Sequence, residues 1–366
     1  MTKNVKTALI VALCLAGVGI AFCCAGRAMG GGMTRFRWLG VPSPGSIQIG
    51  SSGITIGGKN GVKINENGVS VGGPAGVNID DSGVTIGNTS SGAEDESGAD
   101  SRYFREYQTL DGAYSADGSY AVDASAVESI DLKWYAGKAE IRTGEDGKIT
   151  FSESAPSKLG EDRALRWDVK DKTLYIQYCA QGAGRRLPEK ELTLTVPASL
   201  AAKLQGLSFD SFSGDLTVSG LRVKKLALSS DSGDLDAAVS ADSAELSTVS
   251  GELKLTGSCS ALEAHSISGS TTVTGDCKTI KVSSTSGSLR AELTACPTRL
   301  AFSTVSGDTE LTIPQNSGFT LDDSSVSGDV DCDFPMMYRD EKYVCGNGDA
   351  ALKITSVSGD VTIRKK

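Results

Sequence analysis

The chain has 366 residues, with 36 Lys and Arg against 45 Asp and Glu, a formal net charge of −9 and a single histidine. Residues 1–65 hold seven of the cations and no acid, so the remainder is more acidic still. A body of that sign lacks the clustered cations that neutralise phosphates, which excludes nucleic acid as a partner.

The first segment sets the compartment. Lys3 and Lys6 precede an uncharged apolar run from Thr7 to Gly26 that ends at Arg27. About 20 such residues suffice to cross a bilayer as a helix. The run is longer than the core of a cleaved signal, and no small-x-small site follows it. Residues 1–27 therefore read as a signal anchor, with residues 8–26 in the membrane. Arg27, Arg35 and Arg37 stand against Lys3 and Lys6, so the flanking charges do not decide the orientation. The large polar body argues for an extracytoplasmic C-terminal part on a single-pass cell-membrane protein. Residues 28–45 form a juxtamembrane linker. Cys23 and Cys24 follow Phe22 rather than the small residue of a lipoprotein box.

From 46 to 88 a small repeat follows. The pairs Ile47/Ile49, Ile54/Ile56, Val62/Ile64, Val69/Val71, Val77/Ile79 and Val84/Ile86 alternate steps of 7 and 8, giving a 15-residue unit of two short strands. So little core predicts a thin mini-solenoid or a partly ordered stalk. Residues 89–102 are rich in Ser, Gly, Asp and Glu without a large apolar side chain, and read as a flexible linker.

Residues 103–366 form the main domain. Up to Leu200 the strands are irregular: Ile130–Trp134 and Ala139–Ile141 alternate, Lys148–Phe151 follows a Gly, and Glu191–Val196 stops at Pro197. Trp134 and Trp167 lie here, suited to core or cap packing at the wide first coils of an array.

Beyond Gly206 one phrase recurs eight times: Ser or Thr, any residue, Ser, Gly. Its glycines are Gly214, Gly233, Gly251, Gly269, Gly287, Gly307, Gly328 and Gly359, spaced by 19, 18, 18, 18, 20, 21 and 31. Residues two and four after each Gly are mostly apolar with a polar one between, as in Leu253-Lys254-Leu255, and residues seven and five before it repeat the pattern, as in Leu226 and Leu228. Period two means strands with one buried face. A coil of 18 residues is too short for a crossover helix, so coils stack directly as parallel strands. The fold class is all-β: a right-handed parallel β-solenoid with two strands per 18–20-residue coil, behind an N-terminal transmembrane helix.

Three rows of chemistry follow from that register. The residue three before each Gly is always a hydroxyl, including Ser230, Thr248, Ser266, Ser284 and Thr304, and shares the inward parity. This predicts a structural ladder in which each hydroxyl donates to the next, sparing the roughly 1–3 kcal/mol of an unpartnered buried hydroxyl. A row of nucleophilic serines is the competing idea, but the only histidine is His265. Asp215, Asp234, Glu252, Asp308, Asp329 and Asp360 follow the corner Gly, interrupted by Ser270 and Ser288. They read as turn residues rather than as a cation site or catalytic carboxylates. Cys259, Cys277 and Cys296 fall at one corner of adjacent coils, Cys332 faces inward and Cys345 lies in the insertion behind the last step of 31. Disulfides and free buried thiols are both open, and no spacing resembles a Cys-x-x-Cys metal site. No cofactor motif is present.

The insertion carries the apolar cluster Phe334, Met336, Met337, Tyr338 and Tyr343, the candidate partner-binding residues. A flap covering the open edge of the final coil is the structural alternative.

Trp134-Tyr-Ala-Gly-Lys-Ala-Glu-Ile141, Lys148-Ile-Thr-Phe-Ser-Glu153, Thr173-Leu-Tyr-Ile-Gln-Tyr178, Leu192-Thr-Leu-Thr-Val-Pro197 and the repeated Val-Ser-Gly-Asp-Val of 326–330 and 357–361 resemble the bacterial "putative adhesin" family of β-solenoid envelope proteins, over roughly 126–366. The resemblance implies a membrane-anchored, non-catalytic domain that is adhesin-like or associated with envelope stress. Its partner would be an envelope protein or a glycan. The rival is a carbohydrate-active β-solenoid, a polysaccharide lyase or hydrolase using corner carboxylates.

Overall fold

The computed structural model describes the strands between residues 47 and 86 and residues 107–366, apart from 146, 182 and 184–186. The signal anchor and both linkers lie outside the described residues. Among the described residues no helix is long and apolar enough to cross a membrane. The described strands fall into two units, one within Gly32–Gly98 and one within Ala99–Lys366.

In the first unit six strands, Ile47–Gly50, Gly53–Ile56, Val62–Asn65, Gly68–Val71, Val77–Asp80 and Gly83–Ile86, pair antiparallel, each with the next. The mini-solenoid reading is corrected to an antiparallel meander. The links between these strands are too short to return the chain to the start of a parallel neighbour, which takes a dozen or more residues.

The second unit is all-β, stacked from coils whose walls are parallel ladders. Ser213–Ser230, Leu235–Thr248, Leu253–Ser266 and Thr271–Ser284 each run as one bent strand past the second corner and pair parallel with the next. Irregular repeat lengths have local causes. The step of 19 contains a bulge at Gly220, held in left-handed backbone (φ 76) with its carbonyl accepting from Thr143 Oγ1 at 2.8 Å. The step of 20 arises where the second corner opens into a loop between Leu289–Leu293 and Arg299–Ser303.

The corner glycines are required by close approach. A Cβ on Gly251 would stand 2.0 Å from the Gly233 carbonyl oxygen, and one on Gly269 1.7 Å from that of Gly251. Coils can reach strand spacing at this corner only where no side chain begins.

Inward residues stack by register into two walls of a narrow core. Leu216, Leu235 and Leu253 form one column and Leu228, Leu246 and Ala264 another, all buried. Leu255 is 1 % exposed, whereas Lys254 is exposed and pairs with Asp236 at 2.7 Å. Leu255→Asp buries an ionised carboxylate and should cost about 4 kcal/mol or more, while Lys254→Asp loses an exposed pair worth about 1 kcal/mol at most. Thermal melts of the two variants check the assignment of faces, and equal melting temperatures would refute it.

Both ends of the stack depart from chain order. At the N-terminal end Ser129–Lys133 and Ala136–Gly144 lie between the coil of Thr173–Gln177 and Lys190–Pro197 and that of Leu204–Ser211. This end is closed by antiparallel strands, Arg166–Lys170 on one wall and Lys148–Ser154 on the other. At the C-terminal end Ala350–Thr355 lies between Arg299–Ser303 and Gly318–Asp323, and Val361–Lys365 between Thr309–Ile313 and Val330–Cys332.

Candidate functional site

The insertion is a β-hairpin, Met336–Arg339 paired antiparallel with Lys342–Gly346. Asp340 and Glu341 at its tip hold left-handed φ values of 50° and 62°, the backbone of a two-residue turn matched to strand twist. Its second strand adds antiparallel to Gly318–Asp323, so the hairpin extends one wall beyond the last coil. Lys342 reaches Asp322 at 3.4 Å.

The five candidate side chains divide between two faces. Phe334 is buried, its ring 5.6 Å from Phe319 and nearly perpendicular, which corrects its assignment to a partner-binding surface. Met336 and Tyr343 are half-buried against the core. Met337 and Tyr338 are 72 % and 67 % exposed, the two most exposed large apolar side chains among the described residues. Tyr338 leans on Tyr343, ring centroids 5.0 Å apart. Met336, Tyr343 and Cys345 share the face turned to the core, Tyr338 stands at the exposed tip end of that face, and Met337 projects from the opposite face.

The hydroxyl row is bonded differently from the predicted ladder. Ser211, Ser230, Thr248 and Ser266 each accept from the N–H of the corner glycine three residues on, at 2.6–2.8 Å. Ser230 donates to the Gly214 carbonyl of the coil before, at 3.5 Å. The hydroxyls of Ser284, Thr304 and Ser356 are buried without a hydrogen-bond partner among the described residues. In those four coils the amide three residues on lies within reach of the same side chain, so the local bond forms.

The corner carboxylates join coils. Asp215 accepts from the Asp234 N–H at 3.0 Å and Asp234 from the Glu252 N–H at 2.8 Å. Ser288 Oγ takes the Asp308 N–H at 3.0 Å, Asp308 that of Asp360 and Asp360 that of Asp329, both at 2.9 Å. The serine at 288 therefore continues the row rather than breaking it. His265 sits 3.2 Å from Glu263, which also holds Lys281 at 2.6 Å. The Lys281 hydrogen bond is the main cause keeping the Glu263 carboxyl below its usual range, with His265 adding to it.

Cys259 and Cys277 form a disulfide between adjacent coils, Cα atoms 4.8 Å apart. Cys179, Cys296, Cys332 and Cys345 are free thiols. Burial pushes Cys179 up to about 12 and Cys296 up to about 11, far from thiolate reactivity.

Sequence reasoning missed a buried ion pair in the N-terminal cap. Lys190 Nζ lies 2.6 Å from Glu153 Oε2, with the two side chains 0 % and 2 % exposed. The ammonium also donates to the carbonyls of Arg163, at 3.1 Å, and Tyr178. It stands 4.1 Å from the Tyr178 ring centroid and 5.0 Å from that of Trp134. Glu153 Oε1 accepts from the Leu165 N–H at 2.7 Å. Burial holds the Lys190 ammonium below the usual lysine range, against the opposing pull of Glu153. The signal was parity: Glu153 shares the inward face of Ile149 and Phe151, and Lys190 that of Leu192 and Leu194. Nearby, a shallow cleft of about 420 Å³ is lined by residues including Lys138, Glu189, Glu191 and Asp215.

Stacked parallel coils closed by antiparallel strands, with corner carboxylates bonded between coils, define an all-β repeat domain. The chain belongs to the Toastrack DUF4097 family, whose model matches residues 127–364. Among solved structures it is similar to a Bacteroides fragilis protein described as a "putative adhesin", with 17 % identity, 67 % of this chain and 95 % of the other covered, and a TM-score of 0.37. A Parabacteroides distasonis "putative adhesin" shows 13 % identity over 68 % and 98 %, TM-score 0.37. A "putative lipid binding protein" of the same organism shows 12 % identity over 67 % and 95 %, TM-score 0.42. Comparison with curated proteins finds no match.

Proposed function

We propose that this chain is a non-enzymatic interaction module of the cell envelope: a right-handed β-solenoid held extracytoplasmically by a membrane helix at residues 8–26, contacting an envelope protein or glycan through the exposed end of its hairpin. The observation that carries this reading is the exposure of Met337 and Tyr338, neighbours at the free end of a hairpin whose base is anchored in the core. The chemistry-bearing rows support it as well, since Asp215, Asp234, Asp308 and Asp360 and the hydroxyls of Ser211, Ser230, Thr248 and Ser266 bond to backbone amides. Replacing Met337 and Tyr338 together by Ser should weaken capture of the envelope partner at least tenfold with the melting temperature nearly unchanged, because solvent-facing substitutions stay within roughly 0.5 kcal/mol of neutral. Capture undiminished in the double variant would remove the hairpin from the interface.

The carbohydrate-active alternative draws on the cleft where Asp215, Glu189 and Glu191 meet. Incubation with a glycan panel, with and without Ca²⁺, should release no reducing ends or unsaturated products. Turnover lost in Asp215→Asn with the fold intact would favour the enzymatic reading.

A further inference from the structure

The segment that comes last in the chain is not last in the stack. After Ile313 the chain passes to Gly318 and leaves one coil's width open, and only Ala350–Lys365 fills it. The order of the corner confirms the placement: a Cβ on Gly359 would meet the Gly307 carbonyl at 2.1 Å, and one on Gly328 would meet that of Gly359 at 2.1 Å. Without the segment, two parallel edges would face each other about 9.6 Å apart, twice the strand spacing. The segment's strands pair on both sides with strands far from it in the chain.

The slot fits one sequence closely. Leu352, Ile354, Val361 and Ile363 enter the core at 3 % exposure or less. Arg364 pairs with Asp331 at 2.9 Å and Asp333 at 3.2 Å, Lys366 with Glu292 at 3.2 Å, and the Lys366 N–H donates to the Ile313 carbonyl at 2.9 Å. Each of these contacts joins the segment to the slot's walls, so all can re-form when the segment belongs to another copy.

The tether is suited to opening. The hairpin's second strand lies on one side of Gly318–Asp323 and Ala350–Thr355 on the other. Asn347, Gly348 and Asp349 carry the chain across, with Gly346 and Gly348 in left-handed backbone, φ 55 and 73. Glycines in this region have little preference for one conformation, so the crossing can straighten while the hairpin stays with its own wall.

We propose that the slot is a strand-exchange site for a second copy of this chain: residues 350–366 of one copy fill the slot of another, and the two become linked reciprocally. This surface is separate from the hairpin end above and stands without it.

Ser303 and Thr355 are register neighbours across the slot wall. The test joins full-length copies of two kinds, one carrying Ser303→Cys and the other Thr355→Cys, with different tags, produced together. A disulfide between the two tags requires the tail of one copy beside the wall of the other. The expected result is a tag-to-tag species on non-reducing gels, absent when either cysteine variant is produced with the unmodified chain. Deleting Asn347–Asp349 in the Thr355→Cys copy should raise it several-fold, since one peptide link of about 3.8 Å cannot bridge two strand spacings within a copy. Ile363→Asp in that copy should abolish it. No tag-to-tag species from the hinge-intact pair overturns the proposal, and that result holds whether or not the deletion variant folds.

Discussion

A chain ending at Asp349 should lose the last two coils of its stack rather than one. In a simple solenoid each repeat touches only its neighbours, so removing the last one exposes one new edge and leaves the rest standing. Here the last segment is an interior layer: it removes Leu352, Ile354, Val361 and Ile363 from solvent, together on the order of 10 kcal/mol of apolar burial at roughly 1.5–3 kcal/mol each. That matches the entire stability of many domains, about 5–15 kcal/mol. The coil of Gly318–Asp323 and Val330–Cys332 would keep no parallel partner, only the hairpin on one wall. Hydrogen exchange should therefore show protection lost from about residue 318 to 349 while Ser213–Ser284 and Arg299–Ile313 stay protected, since their ladders to the preceding strands do not involve the deleted segment. A truncated chain melting within a few degrees of the full one would place the segment at the edge and refute the interior order.

The repeat was legible because a strand's side chains alternate with period two, and a buried face writes that period into the sequence. Leu253-Lys254-Leu255 states the wall, the inward parity and the outward parity at once. The order of the last coils was not legible for an equally physical reason. Val326-Ser-Gly-Asp-Val330 and Val357-Ser-Gly-Asp-Val361 are the same five residues, so each suits either level of the stack; only the tether between them, the hairpin and Asn347–Asp349, decides which goes inside. The step of 31 marks an insertion without saying where the chain resumes. Hydroxyl partners were misjudged because parity fixes which way Ser230 points and says nothing of whether its oxygen meets the next hydroxyl or the Gly233 amide. In the hairpin, period two separates Met337 from Phe334 and Met336 but does not say which of the two faces meets the stack.

The second large effect should come from the ion pair in the N-terminal cap. Lys190→Met is expected to lower stability by about 3–5 kcal/mol, because a buried charge left without its partner keeps its desolvation cost and loses its compensation. Glu153 would then hold a carboxylate satisfied only by the Leu165 N–H, and Trp134 and Tyr178 would lose the cation beneath their rings. Adding Glu153→Gln removes the stranded charge, and the amide oxygen can still accept from Leu165. The double variant should recover most of the loss, since a neutral pair of similar volume is often no worse than the ion pair it replaces. The consequences are local first: Glu153 lies on Lys148–Ser154 and Lys190 on Lys190–Pro197, the antiparallel pair that closes one wall of the stack. A fall of roughly 10 °C for Lys190→Met, with a smaller one for the double variant, is the expected melting pattern for a domain of this size. If the double variant falls further than Lys190→Met alone, the stranded Glu153 charge is not what costs the single variant its stability. If neither variant moves the melting temperature, the cap unfolds before the stack and the pair lies outside its cooperative unit.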